Sequence, residues 1–185
     1  MVIGSSTPLF VDSAPSAEKV KFYFPAREKV GSIQMPEVEV NWYDGGLLPE
    51  LPFGWPKDKS PIVTGGGAIF HGSRDTLICG GKGDQPWLLS GNELPKNSRL
   101  RKIDLNHGMD WVRACKENPD SRIPAASDFS IAGPLNEMVV MGVIAVRLQG
   151  LNKHLEWDGE KMQFKNINDS ETIKILTKNG FSIHE

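Results

Sequence analysis

The residues with the clearest chemical potential lie in Asn106-His107-Gly108-Met109-Asp110-Trp111. His107 falls at the predicted start of a helix, where the helix dipole favours a neutral imidazole. Asp110, one turn on, can orient His107 or pair with Arg113. A general base or a partner for a substrate hydroxyl takes this form. So does a histidine that only caps and packs, and both readings stand. Trp42-Tyr43-Asp44 is the second candidate. It reads either as an aromatic platform with a polar tip, as in carbohydrate recognition, or as a strand end covered by the proline-rich segment that follows. The candidate substrate-binding residues are therefore His107, Asp110, Trp42 and Tyr43, and no catalytic residue is assigned.

Other chemistries lack their residues. The four histidines, His71, His107, His154 and His184, make no metal-ligand spacing with one another, and neither Cys79 nor Cys115 is in C-x-x-C. There is no G-x-S-x-G nucleophile elbow. The glycine-rich stretch Thr64–Gly83 invites a nucleotide reading. However, Phe70 stands where a dinucleotide fingerprint needs its third glycine, and Gly81-Lys82-Gly83 is not a P-loop. Two β-rich runs, Ala68–Phe70 and Thr76–Cys79, flank His71–Asp75 and predict a hairpin whose glycines supply positive φ in tight turns.

The elements that must carry these residues fit one soluble domain. The chain has 185 residues, 39% apolar and 24% charged, with a net charge of −2. The interspersed charges present no basic face for nucleic acid and no polybasic membrane anchor. The longest apolar run, Met138–Val146, is far short of the ~20 residues that cross a bilayer, and the N-terminus shows no signal peptide. The compartment is not assigned, with cytoplasmic as the default. Both cysteines read as buried thiols.

In chain order, residues 1–17 predict an irregular N-terminal arm and 18–185 a single α/β domain. Val20–Phe24 and Val38–Tyr43 predict strands that pair across an Arg27–Pro36 loop, with Val38, Val40 and Trp42 facing a core. Four prolines in 47–62 predict a long excursion with Phe53 and Trp55 tucked onto the body. Pro86–Ser90 predicts a short strand. Gly91–Lys102 is a loop with Lys96, Arg99, Arg101 and Lys102 clustered. Asp104–Asn118 predicts a helix capped by Asp104 or Asn106. A second helix runs from near Ser130 to about Leu148 and is apolar nearly all round, so burial on most sides is expected. His154–Trp157 and Met162–Phe164, joined through Asp158-Gly159, predict a small hairpin, and Glu171–Lys178 a last helix. The fold class is α+β: a mixed, largely antiparallel open sheet with two main helices on one face. The uncovered sheet face predicts a homo-oligomer.

Five segments in this order resemble the C-terminal region of bacterial Gfo/Idh/MocA-type oxidoreductases. They are WYDGG (Trp42–Gly46), GGAIFHGSRDTLICGG (Gly66–Gly81), HGMDWVRACK (His107–Lys116), FSIAGPLNEMVVMG (Phe129–Gly142) and LEWDGEKMQF (Leu155–Phe164). The resemblance implies the substrate-binding and oligomerisation domain of an NAD- or NADP-dependent enzyme of sugars or polyols. It also implies a Rossmann half, in the same enzyme or as a partner chain. The chain has no Rossmann fingerprint and no Glu-Lys-Pro motif. It is therefore expected to bind no cofactor and to be inactive alone, with a possible sugar or polyol ligand. The alternative is a non-catalytic carbohydrate-binding or protein-interaction domain on the same sheet.

Overall fold

The computed structural model describes residues 1–31, 33–59, 65–95, 101–104, 106–178 and 180. The fold is α+β, with three α-helices and several small sheets among the described residues. Every described strand pair is antiparallel, and the strands form four separate sheets, not one mixed sheet. The chain divides into two compact units, Met1–Leu47 with Leu105–Glu185, and Leu48–Asp104. The single domain expected over 18–185 is thus interrupted by an inserted unit.

The first unit is built on strands β1 (Val2–Ser6), β2 (Glu18–Phe24) and β5 (Val38–Tyr43), in the order β1-β2-β5. The irregular arm expected over 1–17 is corrected by β1. Its five residues show no clear alternation, but β2 supplies a ladder and Val2 is 1% exposed in the core. Pairing of β2 with β5 across 27–36 agrees with the alternation. The intervening loop is itself a short exposed ribbon of β3 (Arg27–Val30) and β4 (Ile33–Met35).

Helix α2 (Phe129–Arg147) lies on β1 and β2. Asp128 caps it by accepting the Ser130 N–H at 2.8 Å. Pro134 sits in its second turn, near the end where unpaired N–H groups are expected. Gly142 faces Val20 and Phe22, and Ala145 and Val146 complete the contact with β1. The core consists of Val2, Val20, Phe22, Ala145, Val146, Leu148 and Leu155. After α2 a 3-10 turn (Gln149–Leu151) leads to Leu155, which exchanges two backbone hydrogen bonds with Val2.

The expected hairpin is present as β9 (Trp157–Asp158) and β10 (Gln163–Phe164). Its Trp157 indole donates to the Glu137 carboxylate on α2 and meets Phe164 edge-on at 5.0 Å. Helix α3 (Asp169–Lys178) starts with a reciprocal cap between Asn168 and Glu171.

The second unit carries β6 (Gly67–His71), β7 (Thr76–Gly80) and β8 (Trp87–Leu88) in one sheet. The glycine-rich hairpin forms as expected, with Gly65, Gly66 and Gly83 at positive φ. Trp55 of the proline-rich segment meets Trp87 edge-on at 5.3 Å, whereas Phe53 is fully exposed, against expectation. Pro61, Lys96 and Arg99 lie outside the described residues.

Candidate interaction site

Helix α1 (His107–Lys116) holds two of the four predicted site residues. Asn106, not Asp104, caps it, accepting the Met109 N–H at 2.9 Å. His107 is exposed in the first turn, while Asp110 is 3% exposed. The Asp110 carboxylate accepts Arg113 Nε and Nη2 at 3.2 and 3.1 Å and the Ala126 N–H at 2.9 Å. Arg113 also reaches Glu117 and the Ile123 carbonyl. Glu117 and then Asp110 hold the guanidinium above its ordinary range, and Arg113 holds Glu117 below its own. This network fastens α1 to the connection leading into α2. Asp110 therefore serves the fold through Arg113 and Ala126. Trp111 strengthens the join, donating to the Ser127 carbonyl at 3.2 Å and meeting Phe129 edge-on at 5.8 Å.

Trp42 and Tyr43 do not form a common platform. Neighbours on a strand point to opposite faces. Trp42 pairs with Val20 and shares the face that carries α2, whereas Tyr43 pairs with Lys19 on the other. The Lys19 ammonium lies 4.8 Å from the Tyr43 ring centroid. That other face also carries Lys21, Glu39 and Asn41, joined through the Glu39 carboxylate. It is polar and charged, not the apolar oligomerisation face expected for an open sheet.

The apolar surface lies on the helix-bearing side. Val38 and Trp42 face that side by register but are 42% and 56% exposed, because α2 covers β1 and β2. Helix α2 itself was expected to be buried on most sides. Instead Phe129, Ile131, Leu135, Val139, Val140 and Val143 are all at least half exposed. Such a patch exceeds the scattered apolar residues normal on a surface. It was legible only in part: the all-round apolar character of 135–146 is plain, but the two strands β1 and β2 cover just one stripe of a helix this long. By length and composition α2 is also apolar enough to cross a membrane, with a mean hydropathy of 1.6 over its best window.

Among the described residues no group of three or more His, Cys, Asp or Glu could hold a metal ion. A cavity of about 270 Å³ in the second unit is lined by Lys59, Cys79, Gln85 and Trp87, with the Lys59 ammonium 4.5 Å from the Trp87 ring centroid. Cys79 is buried, as expected, but Cys115 on α1 is exposed.

No family model matches this chain. It is similar to the translation initiation factor eIF2 assembly protein of Schizosaccharomyces pombe (strain 972). The two are 30% identical over 133 residues, which is 71% of this chain and 34% of that protein. The chain thus spans about a third of the length of this curated relative. The match overturns the resemblance to bacterial Gfo/Idh/MocA oxidoreductases, and with it the reading as a sugar or polyol dehydrogenase domain. Short strings such as WYDGG and FSIAGPLNEMVVMG encode a strand end with its turn and an apolar helix, which unrelated α+β proteins share. The bacterial attribution falls as well. The nicotinamide cofactor and the Rossmann partner rested on that resemblance, and the sugar ligand rested on it and on an aromatic platform that Trp42 and Tyr43, on opposite faces of β5, do not form.

Proposed function

We propose that this chain is a protein-interaction domain serving the assembly of a multi-subunit complex, with subunits of translation initiation factor eIF2 as the first candidate partners. The observation that carries the reading is the exposed, nearly charge-free side of α2, flanked by Trp42 and Val38. Surfaces of this kind are held open by selection mainly where another protein covers them. Similarity to an eIF2 assembly protein supports the same class of role and names the complex to try first.

The test is direct. The full chain is mixed with each purified eIF2 subunit, and binding is followed by calorimetry and co-elution. At least one subunit is expected to bind. The double variant Val139→Glu, Val143→Glu is expected to weaken that binding by at least about tenfold, as for the central residues of an interface. Both side chains point to solvent, so the helical circular dichroism of the variant should be unchanged. Failure of every subunit to bind at tens of micromolar would remove the eIF2 assignment. Binding that ignores the double variant would remove the assigned surface.

A further inference from the structure

We infer that the exposed side of α2, together with Trp42 of β5, closes on the same surface of a second copy of this chain to form a two-fold symmetric dimer. The inference rests on the reading of this chain as a protein-interaction domain and adds a specific partner for its apolar face.

Area argues first. Phe129, Leu135, Val139 and Val143 are 75%, 55%, 53% and 50% exposed, and Trp42 is 56% exposed. With their neighbours they leave several hundred Å² of apolar surface open, on the order of the ~800 Å² each partner contributes to a standard interface.

Charge argues for a copy of the same chain. In a two-fold interface a patch meets itself, so any net charge meets its own sign. Between Phe129 and Val146 the helix has a single ionisable residue, Glu137, and its carboxylate is engaged by the Trp157 indole. Self-apposition therefore brings at most one pair of like charges towards each other, the two Glu137 carboxylates, each already accepting the Trp157 N–H. The opposite sheet face, with Lys19, Lys21 and Glu39, would juxtapose its own charges.

Helix geometry agrees. Two copies of α2 related by a two-fold axis across their length run antiparallel, which opposes their dipoles. A Cβ built at Gly133 meets nothing within 4 Å, so the N-terminal half of the helix leaves room for close approach.

Sedimentation equilibrium of the full chain, from sub-micromolar to tens of micromolar, tests the dimer. The expected mass at the upper end is twice the 20.4 kDa of one chain. Val139→Glu with Val143→Glu should raise the dimer dissociation constant at least about a hundredfold, the loss typical of paired central hot spots. Lys19→Glu, on the other sheet face, should leave it unchanged. A monomer at tens of micromolar overturns the dimer. So does a dimer insensitive to the double variant, or flotation with phosphatidylcholine vesicles without dimerisation. If the chain is monomeric yet binds an eIF2 subunit through Val139 and Val143, the dimer falls and the assembly reading stands. If it dimerises as described and binds no subunit, the dimer stands and that reading falls.

Discussion

Gly4 lies directly against the backbone of Val146. A Cβ at position 4 would stand 2.7 Å from Val146 N and 2.8 Å from the carbonyl carbon of Ala145. The obstacle is main chain, so no side-chain rotation relieves it. Gly4→Ala must push α2 off β1, with an expected loss of about 1–3 kcal/mol, as for other overpacked cores. At Gly142 the neighbour is the tip of the Phe22 ring, 3.0 Å away, which can give by a few tenths of an ångström. Gly142→Ala should therefore cost less than Gly4→Ala. Urea unfolding of both variants measures the order, and the reverse ranking would contradict this packing.

Asp110→Asn keeps the shape of a buried side chain and removes its charge. Arg113 then loses one of its two carboxylate partners and is left beside a neutral amide. The expected loss is about 2–3 kcal/mol, since hydrogen bonds to a charged group are broken at a buried position. His107→Ala, in the same turn but exposed, should change stability by less than about 0.5 kcal/mol. Chemical denaturation of the two variants separates the structural acid from its neighbour.

Acid should destabilise the fold. Glu117 is held below its ordinary 4.5 first by Arg113 and then by the Ile123 N–H. Glu171 is lowered first by Lys153 and then by the Asn168 N–H. A carboxylate lowered in the folded state contributes stability that is complete above its unfolded value and is lost as the pH falls through its folded value. Melting temperature should thus hold from neutrality to about pH 4.5 and decline below it. Glu18 is raised, first by burial and then by Asp44, and works in the opposite sense. Glu117→Gln should flatten the acid limb of the melting curve, and an unchanged limb would show that the Arg113 pair is not its source.

Thiol reactivity should separate the two cysteines. Cys115 is exposed on α1, whereas Cys79 is 8% exposed within β7. Ellman's reagent should titrate one thiol of the native chain quickly and the second only in denaturant. Cys115→Ser should abolish the fast phase, and a fast phase that survives it would place Cys79 at the surface.

Much of the fold was legible where local pattern and tertiary need coincide. Alternation in Val38–Tyr43 identified both the strand and the face of Trp42, but alternation cannot say how far a helix extends over that face. The pairing of Asp110 with Arg113 was legible from i,i+3 spacing. Its bond to the Ala126 N–H, sixteen positions away, was not, because it depends on where the connection after α1 returns. Strand β1 was missed because its conformation is imposed by β2, α2 and Leu155, and intrinsic β-propensity is a weak signal beside such context. For the candidate site, the apolar residues of α2 were read correctly as apolar and wrongly as covered. Covering depends on the size of the sheet, which no stretch of the helix encodes.

The bridge between Val2 and Leu155 also dictates timing during synthesis. Val146 and Leu155, which bury Val2, emerge from the ribosome about 150 residues after it. At ordinary elongation rates that interval is on the order of ten seconds. Throughout it β1 has β2 to pair with but nothing to cover its apolar face. The first unit must therefore complete its core late, after the inserted unit has already been made.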